Sequence, residues 1–194
     1  MALPKLVGLL ARKGAGKDTA AEVLLAQGYE NVKFAGALKD MLRTLLFYQG
    51  ADAEAIERMV EGDLKEVPSE FLAGQTPRLA MQTLGTEWGR EIIAPDLWVL
   101  TAIKRAAMGD TVITDVRFPN ELAAVERAGG YVIGITADWI EKQEGEHESE
   151  ALIDDLIASL PAAQRIINKR GAPGLERQAI QEFQRRFLFK LEAL

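Results

Sequence analysis

The chain has 194 residues, 48% hydrophobic and 27% charged, with a formal net charge of −6. That is enough to bury a full core as one domain, and the acidic balance excludes a broad basic footprint for a nucleic acid polymer. It has no cysteine and a single histidine, His147, which excludes disulfides, thiolate metal sites and a histidine zinc cluster.

The first element is an apolar strand, Leu6 to Leu10, broken at once by Arg12 and Lys13. It is too short for a secretory signal core, and no other run approaches the roughly 20 residues needed to cross a bilayer. A cytoplasmic protein without a membrane partner is expected. The strand leads into Ala11-Arg12-Lys13-Gly14-Ala15-Gly16-Lys17-Asp18-Thr19 and then a helix from Lys17 to about Gln27, stopped by Gly28. Strand, glycine-rich turn and helix in that order predict a phosphate-binding loop. Its backbone N–H groups would converge on an anion, the helix dipole would add positive potential, and Lys17 would reach the β- and γ-phosphates of a nucleotide. The match to G-x-x-x-x-G-K-[ST] is incomplete: Ala11 replaces the first glycine and Asp18 the magnesium-binding hydroxyl, with Thr19 one place later. Ala11 can make the turn at negative φ, and the Asp18 carboxylate is a hard oxygen ligand suited to Mg²⁺.

Tyr29 to Phe34 is a weaker strand, and Ala37 to Tyr48 repeats apolar residues at helical spacing. Ala51 to Gly74 is acidic, with a short helix from Ala53 to Val60 followed by irregular chain, and reads as a flexible insertion. Pro77 suits the first position of a helix running to Ile92, and a second helix follows from Pro95 to Ala107. Thr111 to Asp115 is a buried strand closing on an acid. Pro119 to Ala128 is helical, and Tyr131 to Thr136 is another strand. Ala137 to Glu150 is polar and lid-like, Arg165 to Ile167 is a last strand, and Gly174 to Leu194 is a long amphipathic helix. Five strands separated by helices imply a single α/β domain with a parallel sheet covered on both faces.

Asp115 ends its strand where a carboxylate can bind Mg²⁺ or fix an acceptor, although an Asp there also serves as a helix cap. Arg117 emerges beside it and can clamp phosphate oxygens, or else pair with Glu121. Arg78, Gln82, Thr86 and Arg90 recur in steps of four, which puts them on one helix stripe. Facing a cleft, that stripe offers two guanidiniums, an amide and a hydroxyl to a nucleotide; facing water, it is a solvated side. Trp88 and Trp98 read as core residues or as stacking platforms.

Taken together, Gly16-Lys17-Asp18-Thr19, Phe34-Ala35-Gly36-Ala37-Leu38-Lys39, Pro77-Arg78 with Leu84-Gly85-Thr86-Glu87, Trp98, Asp115-Val116-Arg117-Phe118-Pro119-Asn120-Glu121 and His147-Glu148-Ser149-Glu150 give a chain that resembles the phage-type deoxynucleoside monophosphate kinases. The resemblance implies a three-layer P-loop kinase fold, with a five-stranded parallel sheet, helices on both faces and a lid. It implies Mg²⁺-ATP as donor and a deoxynucleoside monophosphate as acceptor. Arg12 to Thr19 would bind ATP, with Lys13 in that loop and Gly14 to Thr19 holding its phosphates, and Asp18 and Asp115 would be the metal ligands. Arg78, Gly85, Thr86, Trp98 and Asp115 would line the acceptor site, with Gln82 and Arg90 on the same stripe and Phe34 and Lys39 at its border. Lys17, Arg117 and Asp115 would be the catalytic groups. Family members often carry an arginine just after the strand before the lid; here Thr136-Ala137 stands there and the nearest lid cation is Lys142. Another small-molecule P-loop kinase, acting on dephospho-coenzyme A or phosphomevalonate, and a nucleotide-binding switch without turnover remain alternatives. A homodimer is compatible with all of them.

Overall fold

The computed structural model describes residues 3–140, 148–169 and 176–193. Within it the chain forms two compact units, Met1–Lys33 with Ile103–Leu194, and Phe34–Ala102.

The first unit is a five-stranded parallel sheet in the order β2-β3-β1-β4-β5, from β1 (Leu6–Ala11), β2 (Glu30–Val32), β3 (Thr111–Val116), β4 (Tyr131–Ala137) and β5 (Arg165–Asn168). Every β1 residue is buried, as expected of a central parallel strand that is apolar throughout. Successive side chains leave the sheet on opposite faces. Val7, Leu9, Ile133 and Ile135 join one core with Leu24 of α1 (Lys17–Leu25) and Phe187 and Leu191 of α8 (Glu176–Glu192). On the other face, Gly8 leaves room for Val125 of α6 (Pro119–Arg127), and Gly134 for Ile157 of α7 (Glu148–Ser159). A Cβ at Gly134 would lie 2.9 Å from Ile157, so glycine sets how closely α7 approaches the sheet. With helices on both faces, this is the expected three-layer α/β fold.

The second unit is helical. Leu38, Leu42 and Leu46 of α2 (Gly36–Tyr48) pack with Ile56, Met59 and Val60 of α3 (Ala53–Val60), Met81 of α4 (Pro77–Thr83) and Trp98 of α5 (Leu97–Ala106). Within 51–74 the expected helix from Ala53 to Val60 forms, and the chain after it is packed rather than irregular. Leu64, Phe71 and Leu72, on two 3₁₀ turns after α3, pack against that same core, so their burial orders an otherwise patternless segment. The helix expected from Pro77 to Ile92 also divides: α4 stops at Thr83 and Leu84–Ile93 continues as a π-helix.

Of the lid-like stretch 137–150, Ala137 is the last residue of β4 and 148–150 begin α7. Residues 141–147, with Lys142 and His147, lie outside the described residues. The helix α7 adds to the expected elements; its Ile153 and Ile157, with Leu160 just beyond its end, recur at helical spacing and are buried. Among the described residues no helix is long and apolar enough to span a membrane.

Candidate active site

In the sheet unit the loop after β1 occupies the place where the strand order changes direction, because β1 has β3 on one side and β4 on the other. Open parallel sheets bind ligands beyond the strand ends at such a point. Ala11 remains within β1, and the turn is made by Gly14 at φ 81° and Gly16 at φ 98°, left-handed conformations that a side chain disfavours. Gly16 caps α1 with no side chain of its own, leaving the first-turn N–H groups to an external acceptor. Ala15 is almost wholly buried and closes the turn by donating its N–H to the Arg12 carbonyl at 3.2 Å.

Lys17 begins α1, and its Nζ lies 3.0 Å from Asp18 Oδ1. The Asp18 side chain is 93% exposed, open to a ligand and favourably placed in the first helical turn. Thr19 is half-buried, while Lys13 and Gly14 are exposed. Arg12 turns elsewhere. It is buried, and its Nε and Nη2 each donate at 2.8 Å to the two carboxylate oxygens of Asp154 on α7. That fork ties the start of the loop to a helix about 140 residues away, so Arg12 serves the loop through its backbone. Asp154 carried no local sequence signal, because only folding brings it to Arg12.

Beside the loop, Ala15, Ile135, Ile140, Ile157 and Ile167 help line a cavity of about 540 Å³, with Arg12 and Asp154 at its polar edge. The size and apolar walls are those of a small-molecule pocket.

Asp115 is half-buried at the penultimate position of β3. The step Gly8 to Leu10 on β1 is matched by Ile113 to Val116 on β3, so β3 carries an extra residue beside Asp115. Such a bulge re-aims side chains at a strand end. Arg117 follows, exposed, and Glu121 accepts the backbone N–H groups of Arg117 at 2.8 Å and Phe118 at 3.1 Å. The buried Glu121 thus fixes the strand-to-helix turn from which Arg117 projects. Its signal is an acid at the third position of a helix opened by Pro119, the half of a capping box that reaches back to the N-cap backbone.

In the helical unit, Arg78, Gln82, Thr86 and Arg90 are all exposed, while Pro77, Met81, Gly85 and Gly89, one position earlier in each case, are buried. The polar stripe is therefore real and continuous through the change of helix type. Arg78 Nε donates to Glu66 at 2.7 Å, and Lys39 Nζ contacts both Glu61 oxygens at 2.9 Å. Both acids belong to the stretch 51–74. Phe34 is buried, as is Trp98 at 4% exposure. The indole N–H of Trp98 donates to the Gly85 carbonyl at 2.8 Å, and a Cβ on Gly89 would meet its ring at 2.6 Å. Trp98 is thus packed in the core, where it supports the segment bearing Thr86 and Arg90.

Among the described residues, no three His, Cys, Asp or Glu side chains gather into a metal cluster. Mg²⁺ in phosphate sites needs only one or two carboxylates besides the phosphates themselves, so exposed Asp18 at a helix start and Asp115 at a strand end fit that donor set.

No family model matches the chain. A curated mimivirus protein named a deoxynucleotide monophosphate kinase is 31% identical over 160 residues, covering 75% of this chain and 80% of that protein. A deoxynucleoside-5'-monophosphate kinase of Escherichia phage T5 is 43% identical over 49 residues, 24% of this chain and 20% of its own length. Among solved structures, dephospho-CoA kinase from Campylobacter jejuni aligns with 93% of this chain and 96% of its own at 13% identity and a TM-score of 0.46. The extent and identity of the mimivirus match, joined to a phosphate loop at the switch point of a parallel sheet, show that the chain belongs to the deoxynucleotide monophosphate kinase family.

Proposed function

We propose that the protein transfers the γ-phosphate of ATP to a deoxynucleoside monophosphate, releasing a deoxynucleoside diphosphate and ADP. The observation that carries this reading is the loop from Arg12 to Thr19, whose glycines and helix start are arranged for an oligophosphate, in a chain of this family.

The donor groups belong to the sheet unit. N–H groups of Gly14 to Thr19 cradle the ATP phosphates, and Lys17 moves from Asp18 to the transferring phosphoryl group. Asp18 and Asp115 would hold Mg²⁺, which would add positive charge at the ATP phosphates. Freed from Lys17, the Asp18 carboxylate can take that part. The cavity beside Ala15 receives the nucleoside of ATP against its isoleucine walls. Arg117, held by the Glu121 cap, supplies charge to the equatorial oxygens of the transition state.

The acceptor groups, Asp115 apart, belong to the helical unit. Arg78 and Lys39 bind the acceptor phosphate, exchanging Glu66 and Glu61 for it. Those carboxylates keep the two cations paired in the free protein. Gln82, Thr86 and Arg90 contact the sugar and base, on a stripe held by Trp98. No general base is needed, because a monophosphate oxygen is ionised at neutral pH; catalysis is positioning and charge neutralisation.

The test is incubation with ATP, Mg²⁺ and a panel of ribo- and deoxyribonucleoside monophosphates, with diphosphate measured directly. Diphosphate formed from deoxynucleotides is expected. ATP binding with no diphosphate from any acceptor would make the protein a switch, and turnover only with dephospho-coenzyme A or phosphomevalonate would replace the acceptor.

A further inference from the structure

Asn168 ends β5, paired in register with Ala137 of β4, and its carbonyl accepts the N–H of Asp138 at 3.2 Å. The residue is therefore anchored by its own backbone. Its side chain reaches across to the phosphate loop, where Nδ2 donates to the Ala15 carbonyl at 3.0 Å. The amide also lies against the next residue: a Cβ on Gly16 would come within 2.4 Å of that Nδ2. Two observations thus converge on one peptide, Ala15–Gly16. Across a trans peptide the carbonyl and the following N–H point in opposite directions, so holding the Ala15 carbonyl toward β5 turns the Gly16 N–H away from it. The peptide before a glycine at φ 98° is among the easiest in a chain to flip, because no side chain opposes the rotation. A flip would exchange an N–H for a carbonyl oxygen on the side where the loop meets an anion.

We infer that Asn168 is a positioning residue for the phosphate loop, fixing the Ala15–Gly16 peptide so that the Gly16 N–H remains a donor to the nucleotide phosphates. This rests on the reading of the loop as the donor-phosphate cradle. Asparagine suits the task where aspartate does not: an ionised carboxylate has no proton for the Ala15 carbonyl and adds negative charge beside a phosphate site. Gly16 is needed twice over, for its left-handed φ and for the space the amide fills.

The test compares wild type, Asn168→Ala and Asn168→Asp for calorimetric binding of Mg²⁺-ATP, for steady-state KM of donor and acceptor, and for thermal unfolding. The wild type should bind ATP. Asn168→Ala should weaken ATP binding about tenfold and Asn168→Asp more, with the acceptor KM within about twofold of wild type and the melting transition retained. ATP affinity unchanged in a folded variant would overturn the assignment, as would equal losses for donor and acceptor. If neither variant folds, Asn168 is a determinant of the fold and the positioning role is likewise overturned. A wild type that binds no ATP would sink the donor-loop reading itself, an outcome separate from any difference between the variants.

Discussion

Lys17 and Arg78 carry the same charge, and both sit beside a carboxylate, Asp18 and Glu66. In neither case does the pairing hold the fold together, since exposed ion pairs contribute about 0 to 1 kcal/mol. Their substitution should therefore separate function from stability. Lys17→Ala is expected to lower kcat by about 10²- to 10³-fold while the melting temperature stays within a few degrees, because it removes charge only from the transferring phosphoryl group. Stopped turnover with a collapsed thermal transition would instead make the lysine structural. Arg78→Ala should raise the acceptor KM by about ten- to a hundredfold and leave the ATP KM near wild type, the loss of one charge-assisted contact being worth about 1.5 to 3 kcal/mol. If both KM values rise together, Arg78 does not belong to the acceptor alone. The identities of these two residues were legible from motif and spacing. Their resting partners were harder to read: Asp18 is adjacent in sequence, but Glu66 lies in a stretch with no periodic pattern, ordered only by burial of Leu64, Phe71 and Leu72.

The element that departs most from its sequence is the helix after Thr83. Arg78, Gln82, Thr86 and Arg90 repeat every four residues, a period that α- and π-helices both tolerate over about three turns, so spacing could not tell them apart. Trp98 decides it. Its ring fills the space over Gly89 and its N–H takes up the Gly85 carbonyl, interactions available only once α5 packs beside the segment. Trp98→Phe keeps most of the apolar volume but leaves a buried carbonyl without its donor. It should cost about 1 to 3 kcal/mol in urea unfolding. It should also raise the acceptor KM more than the ATP KM, because Thr86 and Arg90 ride on this segment. An unchanged acceptor KM would confine Trp98 to stability. By contrast, β1, α1 and α3 stand close to where hydrophobic pattern and turn residues put them, since each has a strong local signal at both ends.

Across the molecule, the two units rest on different interactions. The sheet unit is built on an apolar parallel core with the Arg12–Asp154 fork at the phosphate loop, whereas the helical unit adds exposed carboxylates that arginine hydrogen bonds hold in their charged form. A hydrogen bond from Arg43 holds Glu57 below the ordinary carboxylate range, and one from Arg58 does the same for Asp63. A lowered folded pKa contributes stability that is fully present above the unfolded value of about 4.5 for Glu and lost as pH falls through the folded one. Acidification should therefore loosen 53–66 before the sheet. Hydrogen exchange measured as pH is lowered toward 4 should show protection falling first there, and Arg43→Met should flatten that dependence. Simultaneous loss in both units would show that these pairs do not set the order.

By itself the sequence determined the strand, loop and helix of the phosphate-loop motif, the parallel α/β class and the polar stripe of the helical unit. Each of these follows from periodicity or from a residue type in its own neighbourhood: a buried strand is a run of apolar side chains, and a phosphate turn is a pair of glycines before a helix start. Tertiary structure alone decided that Arg12 is spent on Asp154, that Asn168 holds Ala15, that Trp98 supports a π-helix, and that 51–74 is packed. These contacts join residues from about ten to more than 150 positions apart, and no local pattern encodes which distant atom will arrive. They form because a buried donor or charge must find a partner once the chain has closed around it.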